Sequence, residues 1–170
     1  MEEYIQNVKI SVFLDKNICS PSKSRKKIMK RVENLHLCVY THSPHLINVT
    51  GIKKIPDIEK SVQIVEHLYS STCIKYTINC IMISCKTQKR TQLESIPELL
   101  SLGVAVNYYF DYNQELFCGA FLKPKIQRKF PTILIFHTGS FQIFGKDIEK
   151  IRSAFDLTQK IIAWCTPPCK

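Results

Sequence analysis

The sequence predicts an α+β protein of two related halves, each an antiparallel sheet followed by a helix, with the first half the shorter. Three observations lead there. A strand, a hairpin and an amphipathic helix follow one another twice; both hairpins end at a glycine, Gly51 and Gly145; and each half opens on a strand carrying an asparagine, Asn7 and Asn79. A recurring order of elements is what an internal duplication leaves. Asn7 and Asn79 are 72 residues apart, whereas Gly51 and Gly145 are 94 apart, so the first half lacks 22 residues. The halves are expected over 1–72 and 73–164, with a tail at 165–170.

The elements follow in chain order. Ile5-Gln-Asn-Val-Lys-Ile-Ser-Val12 alternates apolar and polar residues, the period of a half-buried strand. Ser20-Pro21 suits a helix cap and first turn, and the basic segment after it, with Ile28, Met29, Val32 and Leu35 inward, is expected to be a helix. Leu37–Tyr40, a turn over 41–45 and Leu46–Thr50 form a hairpin. Ile58, Val62, Val65 and Tyr69 then mark one face of a helix, with Pro56 and Asp57 in its first turn. In the second half, Thr77–Ile83 is the opening strand and Thr91-Gln-Leu-Glu94 offers a capping box. Leu93, Ile96, Leu99 and Leu100 supply the apolar face of the helix beyond it, which Pro97 should break or restart. Strands are expected at Val104–Asp111 and Leu116–Leu122, for which the first half has no room. Pro131–Phe136, the turn His137–Gly139 and Ser140–Phe144 make a second hairpin. Ile148, Ile151, Phe155, Thr158 and Ile162 describe a helix from about Lys146 to Ala163.

Composition narrows the function. A hydrophobic content of 45% excludes a disordered tail, and 24 Lys and Arg against 14 Asp and Glu leave a net charge of +10, which points to nucleic acid or an acidic protein face. The N-terminal segment reads as neither signal peptide nor membrane span, so an intracellular protein without membrane contact is expected. The eight cysteines show no paired C-x-x-C spacing and read mostly as small buried hydrophobes; Cys165 and Cys169 are close, but no second pair completes a metal site. Asn48-Val49-Thr50 matches a glycosylation acceptor that an intracellular chain would never present to the machinery. With no Gly-rich phosphate loop, metal-ligand cluster or nucleophile motif, and no triad context for the five histidines, neither an enzyme nor a cofactor is expected. Six of the nine residues Lys23–Arg31 are basic, a run that suits a DNA backbone, an acidic factor, nuclear import or a solvated helix face.

Several of these segments resemble the TATA-box-binding protein family. Ile5-Gln6-Asn7-Val8 is similar to the strand that opens the family's repeats, and Ile78-Asn79 more loosely so. Glu115-Leu-Phe-Cys-Gly119 looks like its Glu-Leu-Phe-Pro-Gly stretch, with Cys118 replacing proline. Leu134-Ile-Phe-His-Thr-Gly139, followed by a strand ending at Gly145-Lys146, looks like its Leu-Ile-Phe-x-x-Gly hairpin, and Asn48–Lys53 resembles the end of the first-repeat hairpin. The resemblance implies a saddle of two antiparallel repeats with helices on the convex side. It also implies a transcription initiation factor that binds A·T-rich promoter duplex and works with general transcription factors and RNA polymerase machinery. So divergent a copy looks more like those encoded by large DNA viruses, which would act in the nucleus or a cytoplasmic virus factory.

The resemblance also assigns roles. Asn7 and Asn79 would donate to acceptors on the minor-groove floor, with Thr50 and Ile81 among the saddle-floor residues. Phe117 and Phe136 would be wedges that unstack a base step. Lys53, Lys123 and Lys146 would contact phosphates. Tyr40 stands where the first half would carry a wedge phenylalanine, and its partner strand is expected to be missing. Lys9, Asn48, Gln142 and Phe144 occupy floor positions where the family has small residues, which points away from strong, symmetric bending. A fold of this family that has lost DNA binding and serves as a protein interaction module is the rival reading.

Overall fold

The computed structural model describes residues 4–21, 23, 26–87, 89–126 and 129–166. The chain divides into two compact units between Ile81 and Met82.

In the first unit β1 (Ile5–Leu14), β2 (Lys27–Val32), β3 (Leu35–Tyr40) and β4 (Leu46–Ile52) stand in the order β2-β3-β4-β1, with β5 (Cys73–Cys85) beside β1. β2 and β3, β3 and β4, and β4 and β1 pair antiparallel: Val32↔Leu35, Leu37↔Val49 and Ile10↔Val49 mark the register from strand to strand. Strand alternation sends Val8, Ile10, Val12, Leu37, Ile47 and Val49 to one buried face, where α1 (Asp57–Tyr69) packs through Ile58, Val62 and Val65.

Two expectations are corrected here. The basic segment after Pro21 is not a helix but the edge strand β2, all of whose residues except half-buried Val32 are exposed. With neither face of β2 committed to a core, its apolar residues could not report a period, and Ile28, Met29, Val32 and Leu35 mimic helical spacing although Leu35 already belongs to β3. Lys27, Lys30 and Arg31 are suited to an edge, where charge discourages pairing with another chain. The same strand supplies the partner that Tyr40 was expected to lack, through the pair Lys27↔Tyr40.

A bulge shapes the end of β4. Between the pairs Val8↔Ile52 and Ile10↔Val49, Lys9 alone stands opposite Thr50 and Gly51. Gly51 has φ +97°, and a Cβ there would overlap the Asn34 carbonyl oxygen, so only glycine fits. The Gly51 amide freed from the ladder donates to Asn7 Oδ1 at 2.8 Å.

In the second unit the order is β5-β9-β8-β7-β6, with β6 (Tyr108–Asp111), β7 (Gly119–Pro124), β8 (Thr132–Phe136) and β9 (Phe141–Gly145). Leu122↔Ile133 and Ile133↔Ile143 set one buried row, and Ala120↔Ile135 and Ile135↔Phe141 the next. α3 (Ile148–Trp164) covers this face through Ile151, Ala154, Thr158, Ile161 and Ile162, and Phe155 meets Phe141 with ring centroids 5.4 Å apart. Its cap is Asp147, whose carboxylate accepts from the Glu149 and Lys150 amides at 3.0 and 3.2 Å, an arrangement that contributes about 1 kcal/mol.

The capping box expected at Thr91–Glu94 does not form. Leu93–Ser95 is a short 3-10 turn with no side-chain cap, and buried Thr91 Oγ1 has no partner among the described residues. The helix restarts as α2 (Ile96–Ser101), with Pro97 in its first turn, where a missing N–H does no harm. Each unit has four strands of its own and a part of β5, and the second adds the short helix α2. No helix among the described residues is long and apolar enough to cross a membrane.

Candidate nucleic-acid interface

Each sheet has a face that its long helix does not cover, and most of the candidate residues lie there. In the first unit that face carries Asn7, Lys9, Ser11 and Phe13 from β1, Asn48 and Thr50 from β4, and His36, Cys38 and Tyr40 from β3. Register aligns Arg31–His36–Thr50 in one row and Met29–Cys38–Asn48–Ser11 in the next. Lys9 is exposed, and the Tyr40 ring lies 5.5 Å from that of His42.

Polar side chains on this face are tied to one another. Ser11 Oγ donates to Asn48 Oδ1 at 2.9 Å and accepts from Asn79 Nδ2 at 2.5 Å. Asn7 is held by the Gly51 amide, and Lys53, next along the chain from β4, donates to the Gln6 carbonyl at 2.6 Å. Sequence reasoning missed Ser11, because its partners lie 37 and 68 residues away and no local pattern announces them.

The uncovered face of the second unit is aromatic. Register places Asp111, Phe121, Leu134 and Gln142 in one row, Gly119 beside Phe136, Thr132 beside Phe144, and Tyr109 beside Lys123. Phe117 approaches from the loop before β7, where the Leu116 and Phe117 amides both donate to the Asn113 carbonyl. Its ring stacks on Phe121 at 5.6 Å and 20° and tilts against Phe136 at 6.0 Å and 59°. Gly119 makes room for this cluster: a Cβ there would stand 2.9 Å from Leu134 Cδ1 and 3.1 Å from both Phe117 Cε1 and Phe136 Cδ1. Phe117 remains 40% exposed and its neighbour Leu116 82% exposed, an unusual presentation of large apolar groups to solvent. Phe121, the third ring, escaped the sequence reading because it lies inside a strand that otherwise alternates into the core.

Lys123 is engaged rather than free. Its ammonium pairs with the Asp111 carboxylate and lies 5.4 Å from the centroid of the Phe121 ring. Lys146 is exposed between β9 and α3, and Gln142 and Phe144 are half-buried. Ile81 departs from its expected role: at 1% exposure it is part of the core and presents no floor to a ligand.

Among the described residues no group of three or more His, Cys, Asp or Glu is placed to hold a metal ion, and no disulfide joins the seven described cysteines. Burial pushes the Cys165 thiol up to about 11, so it stays protonated at neutral pH, and Cys169 lies outside the described residues.

No protein-family model matches the chain, and no curated protein matches it. Among solved structures it is similar to the TBP of Methanococcus jannaschii, with a TM-score of 0.66 and 17% identity over 92% of this chain and 97% of that one. At that identity the likeness establishes the architecture: the fold is of the TBP type.

Proposed function

We propose that this protein is a DNA-binding transcription initiation factor that lays the uncovered faces of its sheets, as the concave side of a saddle, in the minor groove of promoter duplex. The observation that carries the reading is the Phe117–Phe121–Phe136 cluster, held half-exposed on the face opposite α3. Rings in that position can enter a base step and unstack it, as intercalating side chains of minor-groove binders do. The amides of Asn7, Asn48 and Gln142 suit the groove floor, and the net charge of +10 suits phosphate.

The segments 1–72 and 73–164 are read as copies of one ancestral repeat, the first shorter by 22 residues between its opening asparagine and its hairpin glycine. Its aromatic end is correspondingly weaker, Tyr40 standing where the second half has Phe136, so kinking is expected mainly at one end. No catalytic role is assigned. A divergent copy of this kind fits a large DNA virus, with general transcription factors and RNA polymerase as partners.

One observation favours the second reading, a protein interaction module without specific DNA binding: Lys123 is paired with Asp111 instead of standing free for phosphate. Fluorescence anisotropy with A·T-rich and G·C-rich duplexes at two salt concentrations separates the two. The proposed function expects salt-sensitive binding that prefers one base composition and is weakened by Phe117→Ala with Phe136→Ala. Absent binding, or binding indifferent to the double substitution, sinks the wedge mechanism. Affinity that falls with salt but ignores composition leaves only a basic surface.

A further inference from the structure

We infer that the first unit reads a guanine amino group in the minor groove, through a hydrogen-bond acceptor that Ser11 forces one of its two asparagine neighbours to present. The inference rests on the minor-groove reading above and concerns the same face. Ser11 Oγ lies between Asn48 Oδ1 at 2.9 Å and Asn79 Nδ2 at 2.5 Å. A hydroxyl has one proton, so it can donate to only one of the two amides. The other amide must turn its N–H2 to the serine and keep its carbonyl oxygen for the outside, whichever asparagine that is. In the structure it is Asn79. Its Oδ1 has no hydrogen-bond partner among the described residues and is not a buried orphan, so it meets solvent.

The minor groove offers few donors to such an oxygen. A·T and T·A pairs show acceptors only, whereas a G·C pair adds the guanine N2 amino group. An outward carbonyl set over an A·T pair faces another acceptor and loses its water without replacement; over guanine it gains a hydrogen bond. Asn7 behaves in the opposite sense. Its Oδ1 accepts from the Gly51 amide at 2.8 Å, which leaves its N–H2 to donate to the acceptors common to all pairs. Lys9 stands between Asn7 and Ser11 on β1 as a further donor. The face therefore presents donors with one acceptor among them, a pattern suited to an A·T-rich site containing one guanine.

The test walks a single G·C pair through an otherwise A·T duplex and compares each position with the inosine·C counterpart, which lacks only the N2 amino group. Binding is read by fluorescence anisotropy. At one position the guanine duplex should bind about fivefold more tightly than its inosine partner, the worth of a net hydrogen bond of about 1 kcal/mol. Ser11→Ala should abolish that ratio by letting the amide turn, and Asn79→Ala, at a half-buried surface site, should abolish it without disturbing the core. Equal or tighter binding of the inosine duplex at every position overturns the inference while leaving minor-groove binding intact. A guanine preference that survives both substitutions also overturns it. If no duplex binds at all, the functional reading fails and the inference falls with it.

Discussion

Gly119→Ala adds one methyl group beneath the aromatic cluster and separates a wedge from a core packing residue. Only left-handed backbone would forbid the alanine, and Gly119 is not among the glycines with positive φ, so the effect is steric. The new Cβ would lie 2.9 Å from Leu134 Cδ1 and 3.1 Å from the Phe117 and Phe136 rings, closer than ordinary contact by several tenths of an ångström. Leu134 is 5% exposed and cannot yield, but Phe117, 40% exposed on a loop, can swing outward. Overpacking usually costs about 1–3 kcal/mol; with an escape route the lower end applies, about 1 kcal/mol. In a chain of this size that lowers Tm by about 2–4 °C. The displaced ring, however, no longer meets a base step, and stacking of a base on an aromatic side chain is worth about 1–3 kcal/mol, or about 5- to 150-fold in affinity. Circular dichroism melting and anisotropy on the same preparation measure both. A fall in Tm of more than about 10 °C with DNA affinity unchanged would show that Phe117 is held as core, and the wedge argument would fail.

Other expectations follow from particular contacts. Asp111→Asn releases Lys123 from its ion pair, so the slope of log affinity against log salt should steepen by up to about 0.9, one phosphate contact; an unchanged slope means Lys123 never reaches phosphate. Gly51→Ala must place a side chain at φ +97° and against the Asn34 carbonyl, and should lower the urea midpoint by an amount corresponding to more than about 2 kcal/mol. The Asp15 carboxyl accepts from Ser71 Oγ at 2.5 Å and the Thr72 amide at 2.9 Å, which holds it below the usual carboxylate range. The stability this contributes is present above that range and lost as pH falls through the lowered value, so Asp15→Asn should flatten the acid limb of a stability profile taken from about pH 7 to about pH 2. Burial pushes the Tyr108 phenol up to about 12; ultraviolet titration should show a late tyrosine component near that pH, with its stabilising share retained below the ordinary phenol range and lost as pH rises toward about 12.

Much of the architecture was legible because most strands commit one face to a core. β1, β4 and β9 alternate, β8 is a short continuous β-rich run, and α1 and α3 repeat every three or four residues, so their order could be read directly. β2 could not, because an edge strand buried on neither face carries no such record. At the site, Phe117 and Phe136 were found through motif likeness, while Phe121, whose importance depends on two rings from other segments, was not. The Ser11 network and the bulge at Gly51 share that character. Each is a contact between distant residues, fixed by register, and register is written in no single stretch of chain.

The Asn7 lock on Gly51 has a consequence for the order in which the first unit assembles. β2 and β3 are joined through two residues and β3 and β4 through five, so this meander closes short loops at little entropic expense. The pair Val8↔Ile52, by contrast, must close across 44 residues, and the hydrogen bond from Gly51 to Asn7 can form only once that is done. The meander should therefore nucleate and β1 should dock onto it late. Loss of the Asn7 amide would then leave the refolding rate nearly unchanged and appear almost wholly as faster unfolding. Asn7 thus governs how long the opening strand stays docked, a residence time for the strand itself.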